Sequence, residues 1–282
     1  MGKKFKTSGF TQVGTNHGND ERNNQDATAS GSNDRFEVIV LADGVSSCKK
    51  GGEGARITVE TIKKYFLEMG ENLMDMQDEE RGENISSTIK NKLREQAAQD
   101  GINMDEYAST LAAILIDKKQ KRVMHASVGD SLTLAVKDGS VYIVSMPADS
   151  RQGIPTTVIP DSRYFKTGVI EPRDGELVAE SFLACSDGAW KELYRRNRLR
   201  SEVKEMILSR DYTSLSEYLK SRNTFDDCTF ITLDTERELE KGEQTPLEEK
   251  RFEKAQLEDE AKKISETEKA IDRVETKKDL TE

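Results

Sequence analysis

Consecutive β-strand patterns without intervening helices constrain the fold of this chain most strongly. Four apolar, β-branched runs follow one another: Thr110–Asp117, Arg122–Val128, Ser131–Lys137 and Val141–Met146. Lys137-Asp138-Gly139-Ser140 joins the last two runs, and an Asp-Gly pair in such a position predicts a hairpin turn. Strands this close in sequence pair antiparallel, because a parallel pair needs a crossover of about a dozen residues or more. The pattern favours an α+β fold and speaks against a doubly wound nucleotide-binding fold.

Further strand and helix patterns lie on either side of this region. The other predicted strands are Phe36–Ala42, Leu177–Cys185 and Cys228–Asp234, and the predicted helices are Glu53–Met69, Ile85–Gln99, Trp190–Arg196, Glu202–Ser209 and Ser214–Ser221. Pro147–Asp174 holds four of the five prolines and shows no clear periodicity. That segment is therefore predicted to be a long surface loop, and a loop of this length in a domain is usually functional or mobile.

The distribution of charge predicts two parts, a globular domain over 1–236 and a tail over 237–282. In the second part 26 of 46 residues are Asp, Glu, Lys or Arg, and the composition after Pro246 is strongly helix-forming. This segment is predicted to be a solvated single helix or a disordered tail. The alternative is a short coiled coil or a helix that docks a partner, because a narrow apolar stripe runs from Leu257 to Val274.

Charge, hydropathy and cysteine spacing exclude several classes of protein. The net charge of −10 argues against nucleic acid as the main partner, since phosphate contacts need clustered Lys and Arg. No run approaches the roughly 18 apolar residues of a membrane span, and the first residues lack the apolar core of a signal peptide. Cys48, Cys185 and Cys228 lie far apart without CxxC spacing. Three such cysteines argue against a disulfide framework, so we expect a cytoplasmic protein. Because no apolar span is present, we also expect no membrane partner.

Aspartates at the edges of the predicted strands are the residues best suited to chemistry. Asp43 and Asp187 each end an apolar run and precede a glycine, Asp226 and Asp227 lead into the last strand pattern, and Asp26 ends Asn-Asn-Gln-Asp. A buried carboxylate costs free energy unless it is paired or binds a cation. Hard oxygen ligands favour Mg²⁺, Mn²⁺ or Ca²⁺. At any one position an Asp-Gly pair can simply form a turn, so the metal interpretation depends on these positions occurring together.

Six groups of short motifs surround these aspartates in a distinctive order. They are Gly14-Thr-Asn-His17 with Asn24-Gln-Asp-Ala27, Leu41-Ala-Asp-Gly-Val45 with Gly52-Glu-Gly-Ala55, Ser109-Thr-Leu-Ala-Ala-Ile-Leu-Ile116, Ala126-Ser-Val-Gly-Asp-Ser131, Ala184-Cys-Ser-Asp-Gly188 and Asp226-Asp-Cys-Thr-Phe230. In this order and spacing the chain resembles the metal-dependent type 2C serine/threonine protein phosphatases of the bacterial type. Each motif alone is weak evidence, and the resemblance depends on the order in which the motifs follow one another along the chain.

The resemblance implies a fold, a reaction and a set of site residues. The implied fold is an antiparallel β-sandwich flanked by helices on both faces, in four layers (αββα). The implied reaction is hydrolysis of phosphoserine or phosphothreonine in proteins by a metal-activated water at a two-metal site that holds Mg²⁺ or Mn²⁺. Asp43 matches the carboxylate that bridges the ions, and the Gly44 carbonyl would bind one of them. Asp187 and Asp226 match ligands of the other ion, and Asp26 matches an aspartate that supports the metal-bound waters. Asp43 and Asp187 are accordingly the implied catalytic residues.

The resemblance leaves a third metal position and the phosphate-binding residue open. Asp105 matches a position that holds a third ion in some relatives, and an exposed loop acid is an equally good interpretation. In the family an arginine five residues before the Asp26 position binds the substrate phosphate. Here that position is Glu21, and the arginine, Arg22, comes one residue later. Either Arg22 or His17 is therefore expected to bind phosphate.

Three functions stay open at this point, and the first is favoured because all four core metal positions are intact. The first is an active phosphatase with a phosphoprotein substrate and an opposing serine/threonine kinase as a further partner. The second is a non-catalytic, phosphatase-like binding or regulatory module, which the displaced arginine and the acidic tail would suit. The third is a phosphatase for a small phosphorylated molecule, with access set by the loop Pro147–Asp174.

Overall fold

Two antiparallel sheets of five strands each form the centre of the structure. The computed structural model describes residues 5–18, 20–147, 159–160, 165–196 and 198–235. The strands of the two sheets are β1 (Phe5–Gln12), β2 (Asp26–Ser32), β3 (Phe36–Asp43), β4 (Leu111–Asp117), β5 (Val123–Val128), β6 (Leu132–Lys137), β7 (Ser140–Ser145), β8 (Lys166–Ile170), β9 (Ser181–Cys185) and β12 (Cys228–Thr235). One sheet has the order β1-β12-β9-β6-β7, and the other has the order β2-β3-β4-β5-β8. A separate two-stranded hairpin consists of β10 (Tyr194–Arg195) and β11 (Arg198–Leu199).

Helices cover the outer faces of both sheets. They are α1 (Gly51–Asp75), α2 (Asp78–Asp100), α3 (Asp187–Leu193), α4 (Ser201–Ser209) and α5 (Tyr212–Lys220). The long helices α1 and α2 pack on the sheet that contains β3, and α3, α4 and α5 pack on the sheet that contains β12. This arrangement confirms the predicted α+β sandwich with helices on both faces. In the described part of the chain, no helix has the length and apolar character needed to span a membrane.

Strand β3 shows why the apolar runs of this chain are nearly continuous. Val38 and Val40 lie in the core beneath α1 and α2, whereas Ile39 and Leu41 lie in the core between the two sheets. Both faces of the strand are therefore buried, and alternation with polar residues disappears. The run ends at Asp43, where the strand reaches the edge of the sandwich.

The prediction of a loop over all of Pro147–Asp174 is wrong, because part of this segment forms a strand. Lys166–Ile170 forms β8, which pairs antiparallel with β5 at the edge of its sheet. No residue of β8 is fully buried, so its apolar pattern is weak. Strands β1 and β2 were likewise not predicted, because they too are polar strands at sheet edges. Residues 148–158 and 161–164 of the predicted loop, and the tail 237–282, lie outside the described residues.

The region around α3 also differs from its prediction. The expected helix Trp190–Arg196 in fact begins at Asp187 and ends at Leu193, and the next two residues form β10. An aspartate in the first turn suits a helix start, since its negative charge faces the positive end of the helix dipole. The strand predicted over Leu177–Cys185 is limited to Ser181–Cys185.

Candidate functional site

Asp26 and Asp43 lie opposite each other at one end of the sheet. Asp26 begins β2, Asp43 ends β3, and the two residues are direct partners in the antiparallel register. Burial raises the pKa of Asp26 to about 7, and the charges of Asp227 and Asp187 add to this effect. Burial also raises the pKa of Asp43 well above its ordinary value, and the charge of Asp26 contributes next. Like charges at directly opposed positions destabilise a strand pair, so the pair needs a proton or a cation.

Asp187 and Asp226 lie at the same end of the sandwich because they flank two strands that pair with each other, β9 and β12. Asp187 begins α3 and is separated from β9 by one residue, while Asp226 lies two residues before β12, the partner strand of β9. The charges of both raise the pKa of Asp43, so the carboxylates repel one another. Asp130, in the turn between β5 and β6, extends the group, because burial and the charge of Asp187 raise its pKa to about 6. Four of the predicted aspartates, and Asp130 as a fifth, therefore lie at the same end of the sandwich.

The backbone of Asp43 and Gly44 is held tightly between neighbouring elements. The Asp43 N–H donates to Thr110 Oγ1 at 2.9 Å, and the Gly44 N–H donates to the Gln25 carbonyl at 3.1 Å. A Cβ atom at Gly44 would fall well inside contact distance of the Gly51 backbone. Only glycine therefore allows the start of α1 to pack this closely against the end of β3.

Asp227 organises the loop that leads into Asp26, a role the sequence did not reveal beyond the presence of two consecutive aspartates. Its side chain is 2% exposed. One carboxylate oxygen accepts the Gly14 N–H at 2.7 Å, and the other accepts the Gln25 N–H at 2.6 Å. A single carboxylate therefore fixes both ends of the loop from Gly14 to Gln25.

The two candidates for phosphate binding have different surroundings. His17 is 12% exposed, and its Nδ1 lies 3.0 Å from Asp227 Oδ2. The Arg22 side chain is 88% exposed, and its guanidinium donates to both carboxylate oxygens of Asp20, at 3.0 and 2.6 Å. His17 therefore borders the aspartate group, whereas Arg22 is paired within its own turn.

Asp105 lies in an exposed turn. Its carboxylate accepts a hydrogen bond from Asn103 Nδ2 at 3.2 Å, and its carbonyl accepts one from Cys48 Sγ at 3.4 Å. Among the described residues, none of the hydrogen bonds of Asp105 reaches the other predicted site aspartates.

Unsatisfied oxygen atoms show that the aspartate group suits a divalent cation. Asp26 Oδ1 and Asp187 Oδ1 are buried, and neither has a hydrogen-bond partner among the described residues. Asp187 Oδ2 forms an ion pair with Lys191, and Asp26 Oδ2 accepts the Ser186 hydroxyl at 2.9 Å. Carboxylate oxygens are the preferred ligands of Mg²⁺ and Mn²⁺, and buried ones are costly without a counter-charge.

The carboxylates of these aspartates are not close enough together to coordinate one cation as they stand. Among the described residues, no group of three or more His, Cys, Asp or Glu side chains is placed so that it could hold a metal ion. The Lys191 ammonium is the counter-charge of Asp187 in this arrangement. A bound cation would replace Lys191 as the counter-charge of Asp187.

Comparison with known proteins gives a family match over most of the chain and the same fold in solved structures. The sequence model of the family described as Protein phosphatase 2C matches residues 13–221. Among solved structures, the chain is similar to the serine/threonine phosphatase Stp1 from Staphylococcus aureus, with 19% identity and a TM-score of 0.61 over 84% of this chain and 97% of that one. It is also similar to the S. agalactiae serine/threonine phosphatase, with 18% identity and a TM-score of 0.56 over 83% of this chain and 100% of that one.

A third solved structure has the same fold. It is PppA, a key regulatory component of T6SS in Pseudomonas aeruginosa, with 16% identity and a TM-score of 0.60 over 83% of this chain and 99% of that one. At these identities the structural likeness establishes the fold and no finer property. No curated protein matches the sequence.

Proposed function

The chain belongs to the protein phosphatase 2C family, and on that basis we propose that it hydrolyses phosphoserine and phosphothreonine in proteins with the help of divalent metal ions. The observation that supports this most is the group of aspartates at one end of the sandwich. Asp26 and Asp43 are register partners there, and Asp187 and Asp226 lie close enough to raise the pKa of Asp43. Repelling carboxylates are retained in an enzyme when a cation binds between them.

The proposed ligands are the side chains of Asp43, Asp187 and Asp226 and the carbonyl oxygen of Gly44. They would hold two Mg²⁺ or Mn²⁺ ions, with Asp105 as the candidate for a third. When bound, such ions neutralise the phosphoryl oxygens and lower the pKa of a water molecule at the site. The free oxygens of Asp26 and Asp187 support this assignment.

Asp26 is proposed to orient and deprotonate the attacking water. Its Oδ2 is fixed by the Ser186 hydroxyl, and its Oδ1 is free to accept a proton. Without a cation, burial raises the pKa of Asp26 to about 7, and a divalent ion bound beside it would lower that pKa and keep the carboxylate deprotonated at neutral pH. His17 is the better-placed candidate to bind the substrate phosphate, because Arg22 is engaged by Asp20.

Water is proposed to attack phosphorus directly while the P–O bond to the serine or threonine oxygen breaks. The released side chain takes a proton from water, and no covalent phosphoenzyme forms. Cys185 and Cys228 each lie two residues from a proposed ligand, but both are buried. Burial raises the pKa of each thiol, which keeps it protonated and unreactive.

We further propose that the protein acts in the cytoplasm against a serine/threonine kinase. This localisation is proposed because the chain has only three cysteines, which lie far apart in the sequence and without CxxC spacing. Docking of a partner by the tail 237–282 stays a prediction from the sequence.

The experiment is hydrolysis of p-nitrophenyl phosphate and of a phosphothreonine peptide with Mn²⁺ and with EDTA. We expect turnover with Mn²⁺ and none with EDTA, and we expect Asp43→Asn and Asp187→Asn each to lower turnover by about 100-fold or more, the size of effect seen when one charge-stabilising group is lost. Asp34→Asn, at an exposed position, is the matched control. Turnover that survives EDTA would contradict the proposal. Mn²⁺ binding without turnover of either substrate would favour the non-catalytic alternative.

A further inference from the structure

The β10–β11 hairpin carries dense positive charge in a chain whose net charge is −10. Arg195, Arg196, Arg198 and Arg200 fall within six consecutive residues. The first three are exposed, and none of them forms an ion pair with any residue that the structure describes. This group, here called the arginine hairpin, plays no part in the proposed metal site.

The geometry of the arginine hairpin is costly in the absence of a bound anion. Arg195 and Arg198 are direct partners across the two strands, and like charges in such positions destabilise a hairpin. Arg196 has a φ of 51°, in the left-handed region that Asn, Asp and Gly occupy more readily. The electrostatic part of this cost disappears when an anion lies between the guanidinium groups.

The base of the arginine hairpin is fixed to the rest of the domain. The Arg200 N–H donates to the Leu193 carbonyl at 3.0 Å, and Arg200 Nε donates to the Glu192 carbonyl at 2.9 Å. Tyr194 packs edge-to-face on Trp190, with 6.5 Å between ring centres. The exposed arginines are therefore presented from an anchored base.

An open cleft of about 690 Å³ lies against the arginine hairpin. All four arginines line it, together with Ser201 and Glu202 in the first turn of α4. Glu202 is the one carboxylate among the described residues of this lining, so they carry an excess of positive charge. The volume of the cleft falls within the range of small-ligand sites. A cleft of this volume can hold an acidic side chain and the residues next to it in the peptide.

We propose that this cleft binds a second anionic group of the phosphoprotein substrate, either a carboxylate or a further phosphoryl group. This inference rests on the proposed phosphatase function. Arginine suits both groups, because its planar guanidinium donates two parallel hydrogen bonds to a carboxylate or a phosphate. The site would make the enzyme prefer phosphorylated residues that lie near other negative charges.

The spacing between the two sites sets where that second charge should be. Helix α3 begins at Asp187 and ends one residue before β10. Its seven residues span about 10 Å at 1.5 Å per residue. An extended peptide covers this length in about three residues. The second anionic group is therefore expected about three to five positions from the phosphorylated residue.

The test compares three phosphothreonine peptides: one with neutral flanks, one with glutamates about four positions away, and one with a second phosphothreonine there. For the unmodified protein we expect kcat/KM to be about 10-fold higher for each anionic peptide, as one well-placed charge contact would give. The double variant Arg195→Glu, Arg198→Glu should abolish the preference and leave turnover of p-nitrophenyl phosphate unchanged. Raising the salt from about 50 to about 500 mM should reduce the preference, because exposed charges are screened.

Two controls separate specific recognition from general electrostatics. Arg195→Lys with Arg198→Lys keeps the charge and should retain part of the preference. Arg94→Glu, at an exposed position of α2, should retain all of it. The proposal is overturned if the unmodified protein has the same kcat/KM for all three peptides. It is also overturned if Arg94→Glu lowers the preference for anionic peptides as much as the double glutamate variant does.

Anion binding by the cleft can also be measured without any enzymatic turnover. If the protein hydrolyses no substrate, the proposed function fails. Fluorescence anisotropy with a labelled oligoglutamate peptide then still tests whether the cleft binds anions. Binding that is lost in the double glutamate variant supports an anion site for acidic protein segments. Equal binding by the variant, or binding of a single-stranded oligonucleotide but not of the peptide, contradicts it.

Discussion

Asp26 and Asp43 are direct register partners at the end of an antiparallel strand pair. This is the least favourable place in a sheet for two negative charges, because opposed side chains lie close together. Burial raises the pKa of both carboxyls, and their mutual repulsion reinforces the effect at Asp43. The arrangement makes the stability of the protein depend on protons or cations.

Stability without metal should fall as the pH rises. Because the pKa of Asp26 is raised from 3.8 to about 7, the folded chain binds more protons than the unfolded chain between these values. The free energy of unfolding therefore decreases across this pH range, and the raised pKa of Asp43 acts in the same direction. Thermal unfolding in EDTA at about pH 5 and pH 8 measures the effect, and a higher Tm at the higher pH would contradict it.

Metal should reverse that dependence. Cations bind the deprotonated carboxylates, so Mn²⁺ should raise Tm more at pH 8 than at pH 5. A concentration of about 100 times Kd corresponds to about 2.7 kcal/mol of stabilisation, or an increase in Tm of about 5–10 °C in a chain of this size. A Tm shift that is independent of pH would show that the ions bind elsewhere.

Asp227→Asn should weaken the site although Asp227 is not a proposed metal ligand. The substitution turns one of two acceptor oxygens into a donor that faces the Gly14 or the Gln25 N–H. The loss should be about 1–3 kcal/mol, the cost of an unsatisfied buried group. Urea denaturation measures the stability, and Mn²⁺ titration should show weaker binding because the loop before Asp26 loosens. Asp34→Asn, on an exposed turn, should change neither quantity.

Gly44→Ala and Gly82→Ala should have opposite effects. A Cβ at Gly44 collides with the start of α1, so the alanine variant should lose about 1–3 kcal/mol of stability and most of its activity. Gly82 is also buried, but there the nearest atoms lie 3.9 Å from an added Cβ. Alanine at that position of α2 should stabilise the helix by about 0.5–1 kcal/mol. Urea unfolding curves of both variants check this, and equal effects would refute the packing argument.

His17→Gln should raise KM for a phosphothreonine peptide more than Arg22→Gln. His17 lies beside Asp227, whereas Arg22 is exposed and bound to Asp20. We expect about a 10-fold rise for His17 and less than about a 2-fold change for Arg22, since exposed ion pairs contribute little. Steady-state kinetics with Mn²⁺ gives both values. A larger effect of Arg22→Gln would mean that Arg22 leaves Asp20 when substrate binds.

The interior of the fold could be predicted from the sequence, but three of the four edge strands could not. Strand β3 is buried on both faces, and its apolar run from Val38 to Ala42 is unmistakable. Strands β1, β2 and β8 lie at sheet edges, where partial exposure removes the apolar pattern. The start of α3 at Asp187 was missed because its first turn consists of small and charged residues rather than an apolar stripe.

Three of the proposed site aspartates stand out in the sequence because each lies where an apolar run begins or ends. Asp43, Asp187 and Asp226 follow or precede buried strands, and the motifs around them set their order. The roles of Asp227 and of the Asp187–Lys191 ion pair depend on contacts between distant segments or on side-chain direction. No local pattern encodes such contacts, so they required the structure.

The metal site is tested most directly by calorimetric titration of Mn²⁺ into the unmodified protein and into Asp43→Asn at neutral pH, with circular dichroism to confirm that both are folded. We expect binding to the unmodified protein, with proton release, and loss of at least one bound ion in the variant. Unchanged binding by a folded Asp43→Asn protein would contradict the assignment of the aspartate group as the metal site.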